Sequence, residues 1–212
     1  MTSSVLSDKQ ILKELSNSNI FIHPFNPKNL SNTSYDVTLG LNYYRAQKTS
    51  KLFLPWEEES IYEYWGHPQV ADTISNEEMS QKYKLPLGSK IILLDPGELI
   101  LAHTNEFIGG LEYITTMMKA RSTMGRIGIS VCKDAGWGDV GYINRWTMEI
   151  SNFSESTIPL VVGMRIAQIV FFYTGKVMNT YHKNGAYQKE CETTDEIIRK
   201  WDVSDMLPKF RF

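Results

Sequence analysis

Short apolar runs separated by turn-forming residues dominate this chain, and helical spacing is confined to a few places. Near the start, Ser7-Asp8-Lys9-Gln10 has the form of a capping box, and Ile11, Leu12 and Leu15 follow at helical intervals. This predicts a short helix over residues 8 to 16. The next run, FIHPFNPKNL, holds two prolines and two asparagines, which forbid a long regular element. In NTSYDVTLGLNYY, Tyr35, Val37 and Leu39 alternate with Asp36 and Thr38, the period of a half-buried strand.

Residues 51 to 84 break the pattern by mixing acids with Trp56, Tyr62, Tyr64 and Trp65. They read as an inserted, partly helical excursion, either a peripheral embellishment or a cover over an interface or pocket. From residue 85 the strands resume. KIILLDPGELILAHTNEFI places a Pro-Gly turn between two apolar runs, and LEYITTMMKARS, GRIGISV, INRWTMEISN and RIAQIVFFY continue the series. The expected fold is mainly β, a sandwich or distorted barrel over one domain spanning 1–212. EIIRKWDVSDML can add a last amphipathic turn or short helix.

Composition narrows the classes. With 42% hydrophobic and 22% charged residues and a formal net charge of −2, the chain reads as globular and lacks the basic excess of a general nucleic-acid binder. A small anion held by a few local arginines stays open. Cys132 and Cys191 do not make a disulfide scaffold. No apolar run reaches 18 residues and MTSSVLSDKQ lacks the regions of a leader, so the expectation is a cytoplasmic protein with no membrane partner.

Candidate chemistry begins with absences. The sequence holds no GxxxxGK[ST] loop. His23, His67, His103 and His182 are scattered, and the H-x-E and P-C-x-x-C ligands of a zinc deaminase are missing, so no zinc is expected. In RSTMGRIG, Arg121 and Arg126 would face opposite ways on a continuous strand, unless Thr123 to Gly125 form a helical turn. The segment is an anion site, with arginine forks and Ser122 for phosphate oxygens, or a solvated basic turn.

In INRWTMEISN, Trp146, Met148 and Ile150 share one face while Thr147, Glu149 and Ser151 share the other. Partial burial of Glu149 would raise its pKa towards that of a usable general base or acid; the alternative is a charge on a wet strand face. Asp139 sits in the glycine-dense turn AGWGDVGY, where Gly136, Gly138 and Gly141 leave room for a planar base or sugar against main chain. A tight hairpin whose aspartate satisfies its own amides fits equally well.

Taken together, RSTMGRIGISVCKDAGWGDVGYINRWTMEISN and VVGMRIAQIVFF resemble the dCTP deaminase branch of the dUTPase superfamily, most strongly across residues 85 to 175. LSDKQILKEL, IHPFNPKNL and SYDVTLG look like that family's N-terminal helix and first strands. The resemblance implies a dUTPase-like distorted β-barrel or jelly roll with a peripheral insertion. It implies hydrolytic deamination of dCTP, with dUTP diphosphatase activity alone or non-catalytic nucleotide binding as alternatives.

By the same resemblance Glu149 is the catalytic glutamate, and Ser122 and Arg126 hold its water. Asp139 meets the deoxyribose 3′-hydroxyl and orients a water in dUTP-cleaving members. Arg121 resembles a phosphate contact, Ala135 and Gly136 read the pyrimidine edge through main chain, and Thr123, Trp137, Gln168, Tyr181, Lys183 and Tyr187 fall at nucleotide-binding positions. Mg²⁺ is implied on the triphosphate, with deoxycytidine and deoxyuridine nucleotides as ligands and a homotrimer or hexamer with intersubunit sites. AGW is similar to bifunctional members that continue to dUMP. Asp134 stands where many relatives have threonine, Ala186 where a phosphate-binding lysine is expected and Glu190 where a glutamine is. Lys183 or Lys189 would have to compensate.

Overall fold

Ser7 starts the first helix, α1 (Asp8–Ser16), as its sequence predicts: Ser7 Oγ accepts from the Gln10 amide and the Gln10 side chain accepts from the Ser7 amide. The computed structural model describes residues 4–48, 51–133, 135–181, 185–189, 191 and 193–210. Helix α1 buries Ile11 against the core together with a carboxylate, Glu14. Asn19 Nδ2, Tyr113 OH and Tyr173 OH all donate to Glu14, tying the helix to strands far along the chain.

Burial raises the Glu14 pKa, but the hydrogen bonds from Asn19, Tyr173 and Tyr113 outweigh it and hold the carboxyl below its ordinary value. A lowered folded pKa gives stability that is present above the unfolded pKa and lost as pH falls through the folded one. Glu14→Ala is expected to cost about 1–3 kcal/mol at neutral pH, the range for stranding hydrogen-bond partners. Urea midpoints at pH 7 and pH 3 check it, because the cost should shrink at the lower pH.

The strands are β1 (Ile20–His23), β2 (Leu30–Ser31), β3 (Ser34–Arg45), β4 (Gln69–Val70), β5 (Asp72–Thr73), β6 (Lys90–Leu94), β7 (Leu99–Gly110), β8 (Ile114–Ala120), β9 (Ile129–Ser130), β10 (Trp137–Gly138), β11 (Ile143–Asn152), β12 (Ile158–Val161) and β13 (Arg165–Tyr173). All their pairings are antiparallel. The main sheet runs β10-β8-β13-β3-β7-β11-β9, with β1 on β7 and β2 and β4 on β3; a smaller sheet runs β12-β6-β5.

Curvature comes from β3. Its first half pairs with β13 (Tyr35↔Ile169) and its second with β7 (Tyr44↔Leu101), and both ladders carry a register shift. Such irregularities bend a strand and strengthen its twist. The sheet therefore curls around Tyr35, Val37, Leu39, Met148, Ile150 and Phe171, all buried in one cluster. This is the mainly β, barrel-like fold expected from the alternating runs.

One detail of that expectation is corrected. The alternating pattern reads β3 as half-buried with Asp36 on the wet side, yet Asp36 is only 3% exposed. Arg121 and Arg165 both bridge to Asp36 Oδ2 and cover it. A charged position reads as exposed in sequence, and only distant pairing reverses that.

Four further helices matter here. Within residues 51–84, α2 (Glu58–Trp65) buries Ile61 and Trp65, whereas α3 (Glu77–Tyr83) buries nothing. Residues Ser122–Arg126 form α4, the helical turn that the spacing of the two arginines left open. Beyond the strands, α5 (Thr194–Lys200) leads into a 3-10 turn at Val203–Met206. Met206 and Leu207 pack on Tyr44, Ile61, Trp65 and Leu101, a second apolar cluster outside the main core.

Candidate active site

Strand β11 is the base of the site. Trp146, Met148 and Ile150 are buried in the core, so alternation turns Thr147 and Glu149 the other way, into a cavity of about 450 Å³. Trp146 anchors the strand by donating Nε1–H to Ile108 O at 2.9 Å, and its amide donates to Thr104 Oγ1 at the β11–β7 register shift.

Glu149 is the chemically distinctive residue. Its Oε2 is buried and has no hydrogen-bond partner. Burial pushes its pKa up to about 6, opposed by its own amide and by the charge of Lys133. A carboxyl tuned to this range exchanges protons readily near neutral pH. Across the cavity stands Tyr142, packed edge-on against both Trp146 and Tyr181. Burial and then the neighbouring Tyr181 and Glu149 raise its pKa, so it stays a neutral phenol.

Six of the residues singled out from sequence converge here. Ala135, Trp137, Asp139, Glu149, Tyr181 and Tyr187 all line the cavity. The Tyr181–Gln188 stretch is docked through its described residues: Tyr181 N donates to Val140 O, the Tyr187 carbonyl accepts from Asn144 Nδ2, and the Gln188 side chain accepts from Ile143 N. Asp139 is exposed at the turn before β11 and also borders an adjoining cleft shared with Trp137, Tyr181 and Tyr187.

Other expected residues stand elsewhere in the single chain. Ser122, Thr123 and Arg126 are exposed on α4 and do not line the cavity. Arg121 caps that helix and is engaged with Asp36. Gln168 lies on β13 opposite Asp36 and Lys119. Asp134, Lys183 and Glu190 fall outside the described residues.

Two glycines of AGWGDVGY are closely packed by protein. A Cβ on Gly136 would sit 2.4 Å from Met118 O, and one on Gly138 would sit 2.4 Å from Thr116 Oγ1 and 2.5 Å from Trp146. Protein atoms fill the Cβ space at both positions. The third, Gly141, needs its φ of 92°, which favours glycine.

The remaining walls escape a sequence reading. Trp65 from α2 and Leu101 from β7 close one side; Trp201, Asp205, Met206 and Pro208 close another. Nothing in local pattern links residues so far apart. Tyr142 and Arg145 were within reach, since they lie between Asp139 and Glu149, and Arg145 sits two residues before Thr147 on the same strand.

A curled antiparallel sheet with a half-buried carboxyl, one oxygen of it buried and unpartnered, in an aromatic cavity defines a mainly β fold equipped for acid–base chemistry. Residues 5–174 match the dCTP deaminase-like family, and the chain belongs to that family. It is 26% identical over 192 residues to the "dCTP deaminase, dUMP-forming" of Methanosphaerula palustris, covering 90% of this chain and 93% of that one. It is 34% identical over 167 residues to the protein of the same name from Hydrogenobaculum sp., covering 79% and 81%.

In fold it is similar to the crystal structure of 2′-deoxycytidine 5′-triphosphate deaminase from Agrobacterium tumefaciens, with a TM-score of 0.56 and 20% identity. That likeness covers 84% of this chain and 51% of the other, about half its length. Tyr181, Tyr187, Trp201 and Asp205 lie beyond the family match.

Proposed function

We propose that the chain hydrolyses dCTP to dUMP, releasing ammonia and diphosphate, within a single dUTPase-like domain that carries residues 51–84 as a peripheral excursion. The observation that carries this is Glu149, a half-buried carboxyl with a buried, unpartnered Oε2 and a pKa of about 6, sharing a cavity with Asp139. The relatives named "dCTP deaminase, dUMP-forming" support it.

In this reading the Glu149 carboxylate takes a proton from water as the oxygen attacks C4 of cytosine. The acid so formed protonates ring N3; the carboxylate then takes the proton of the new C4 hydroxyl and passes it to the amine, which leaves as ammonia while C4 becomes a carbonyl. One carboxyl serves all four transfers, and its raised pKa suits both directions. Asp139 then orients a second water for attack on the α-phosphate, expelling diphosphate.

Ser122 and Arg126 fit as groups supplied to a neighbouring copy's cavity. Both are exposed and away from their own, in keeping with a homotrimer or a hexamer. Among the described residues no three His, Cys, Asp or Glu side chains are grouped to hold a metal. No step is routed through zinc, and Mg²⁺ enters on the phosphate oxygens, whose charge it offsets. No helix among the described residues is long and apolar enough to cross a membrane.

Incubation with dCTP and Mg²⁺, with product separation and an ammonia assay, tests the assignment. Equal amounts of dUMP, ammonia and diphosphate are expected. Accumulation of dUTP removes the second step, cleavage of dUTP with dCTP untouched leaves a diphosphatase, and binding without turnover leaves a regulator. The acid limb of kcat/KM should have its midpoint near the Glu149 value of about 6, activity falling below it as the base is protonated.

A further inference from the structure

Arg145 stands half-buried on β11 and lines the same cavity as Thr147 and Glu149. Among the described residues around that cavity it is the one arginine or lysine, facing the acids Asp139, Glu149 and Asp205. Asp205 is already paired with Lys189 and Lys209. Lys189 also donates to the Lys200 carbonyl, and Ala186, on the adjoining cleft, brings no charge.

The guanidinium lies against two aromatic rings. Its carbon is 5.0 Å from the Phe107 ring centroid and 4.9 Å from that of Trp201, and those rings stand at 88° to each other. Such rings attract the charge but offer its N–H groups no oxygen acceptor. The N–H groups are short of acceptors. Nε is buried without a hydrogen-bond partner, and Nη1 lies 3.4 Å from His103 Nδ1, whose own hydrogen bond runs to Thr104 O at 2.8 Å. The nearby carboxylate of Glu106 accepts from Thr38 N and Oγ1 instead. A stranded buried donor of this kind is costly, and an oxyanion relieves it.

We propose that Arg145 is the phosphate-binding residue which this chain supplies to its own cavity, its Nε–H edge meeting a phosphate oxygen of the nucleotide whose base lies at Glu149. The inference rests on the dCTP reading. Four residues along a strand span roughly 13 Å at about 3.3 Å each, the scale on which a nucleotide separates its base from its phosphate chain. Contact with the Phe107 and Trp201 rings restrains the fork in advance, so less side-chain entropy is lost on binding.

Calorimetric affinities for deoxycytidine, dCMP and dCTP with Mg²⁺, on the intact chain and on Arg145→Gln and Arg145→Lys, test this. Arg145→Gln should weaken dCTP about tenfold or more, the 1.4 kcal/mol scale of one charged hydrogen bond, while deoxycytidine changes less than about twofold. Arg145→Lys, which keeps the charge and loses the fork, should recover part of the loss. Should the glutamine variant fail to fold, the lysine variant decides by the same comparison. Equal weakening of deoxycytidine and dCTP, or unchanged dCTP affinity, overturns the phosphate role while leaving the deaminase reading in place. A wild-type chain that binds neither dCTP nor deoxycytidine overturns that reading and this inference with it.

Discussion

Glu149→Gln is expected to lower ammonia release from dCTP by roughly 10²–10⁴-fold, the usual worth of a positioned acid–base group, and to make the protein more stable. Glutamine keeps the size and a hydrogen-bonding end, so dCTP affinity should stay within a few-fold. The stability gain follows from burial. With the folded pKa near 6 against an ordinary value of 4.5, the folded protein holds a proton between those limits that the unfolded chain has lost.

Stability tied to Glu149 is thus full below about pH 4.5 and declines as pH rises through about 6. About 1.5 pKa units at 1.36 kcal/mol each correspond to about 2 kcal/mol. The glutamine variant has no such ionisation, so its advantage should be near zero at pH 4 and largest above pH 6.5. Urea midpoints across that range, beside a single-turnover ammonia assay, measure both effects. Equal ammonia release from the two proteins sinks the catalytic assignment. An advantage that does not grow with pH sinks the burial argument.

Gly109→Ala is expected to destabilise the fold by about 3 kcal/mol or more, at the upper end of overpacking costs. Gly109 lies on β7, paired with Phe21 of β1 and Ile143 of β11. A Cβ there would fall 1.9 Å from the Tyr142 carbonyl oxygen and 3.0 Å from Ile143 Cα. These are backbone atoms, so no rotamer change relieves the clash. Any relaxation moves Tyr142, and activity should fall along with stability.

Gly125→Ala is the matching control. A Cβ on Gly125 meets nothing within 4 Å, and the position is helical, where alanine is favoured by up to about 1 kcal/mol. Denaturant midpoints for the two variants should shift in opposite directions. A Gly109 variant as stable as wild type would show that the β7–β11 crossing is not tightly packed.

Local pattern carried much of this structure. The α1 cap, the alternation of β11 and the turn at α4 are all short-range features, set by residues within a few positions of one another. The raised pKa of Glu149 was one of two readings open in the sequence, because an acid flanked by core-facing Trp146, Met148 and Ile150 is either partly covered or on a wet strand face, and the structure covers it. Asp36 was not legible. Its burial depends on Arg121 and Arg165, which lie 85 and 129 residues away.

The glycine-rich turn shows a different limit. Sequence registers that a side chain is missing, and only the fold shows what takes its place, which here is Met118, Thr116 and Trp146. The cavity walls combine both difficulties. Trp65 and Met206 meet through burial of apolar surface, which leaves no trace in the spacing of either segment.

The contact between α2 and the Met206–Leu207 turn also sets an order of events during synthesis. Strands β1 to β13 are complete once Tyr173 has left the ribosome, and domains fold as their residues emerge. Trp201, Asp205 and Met206 emerge later, so a nascent barrel presents Tyr44, Trp65 and Leu101 to solvent until its cavity wall arrives. For that interval the chain is a folded scaffold with an uncovered greasy face and an unfinished pocket.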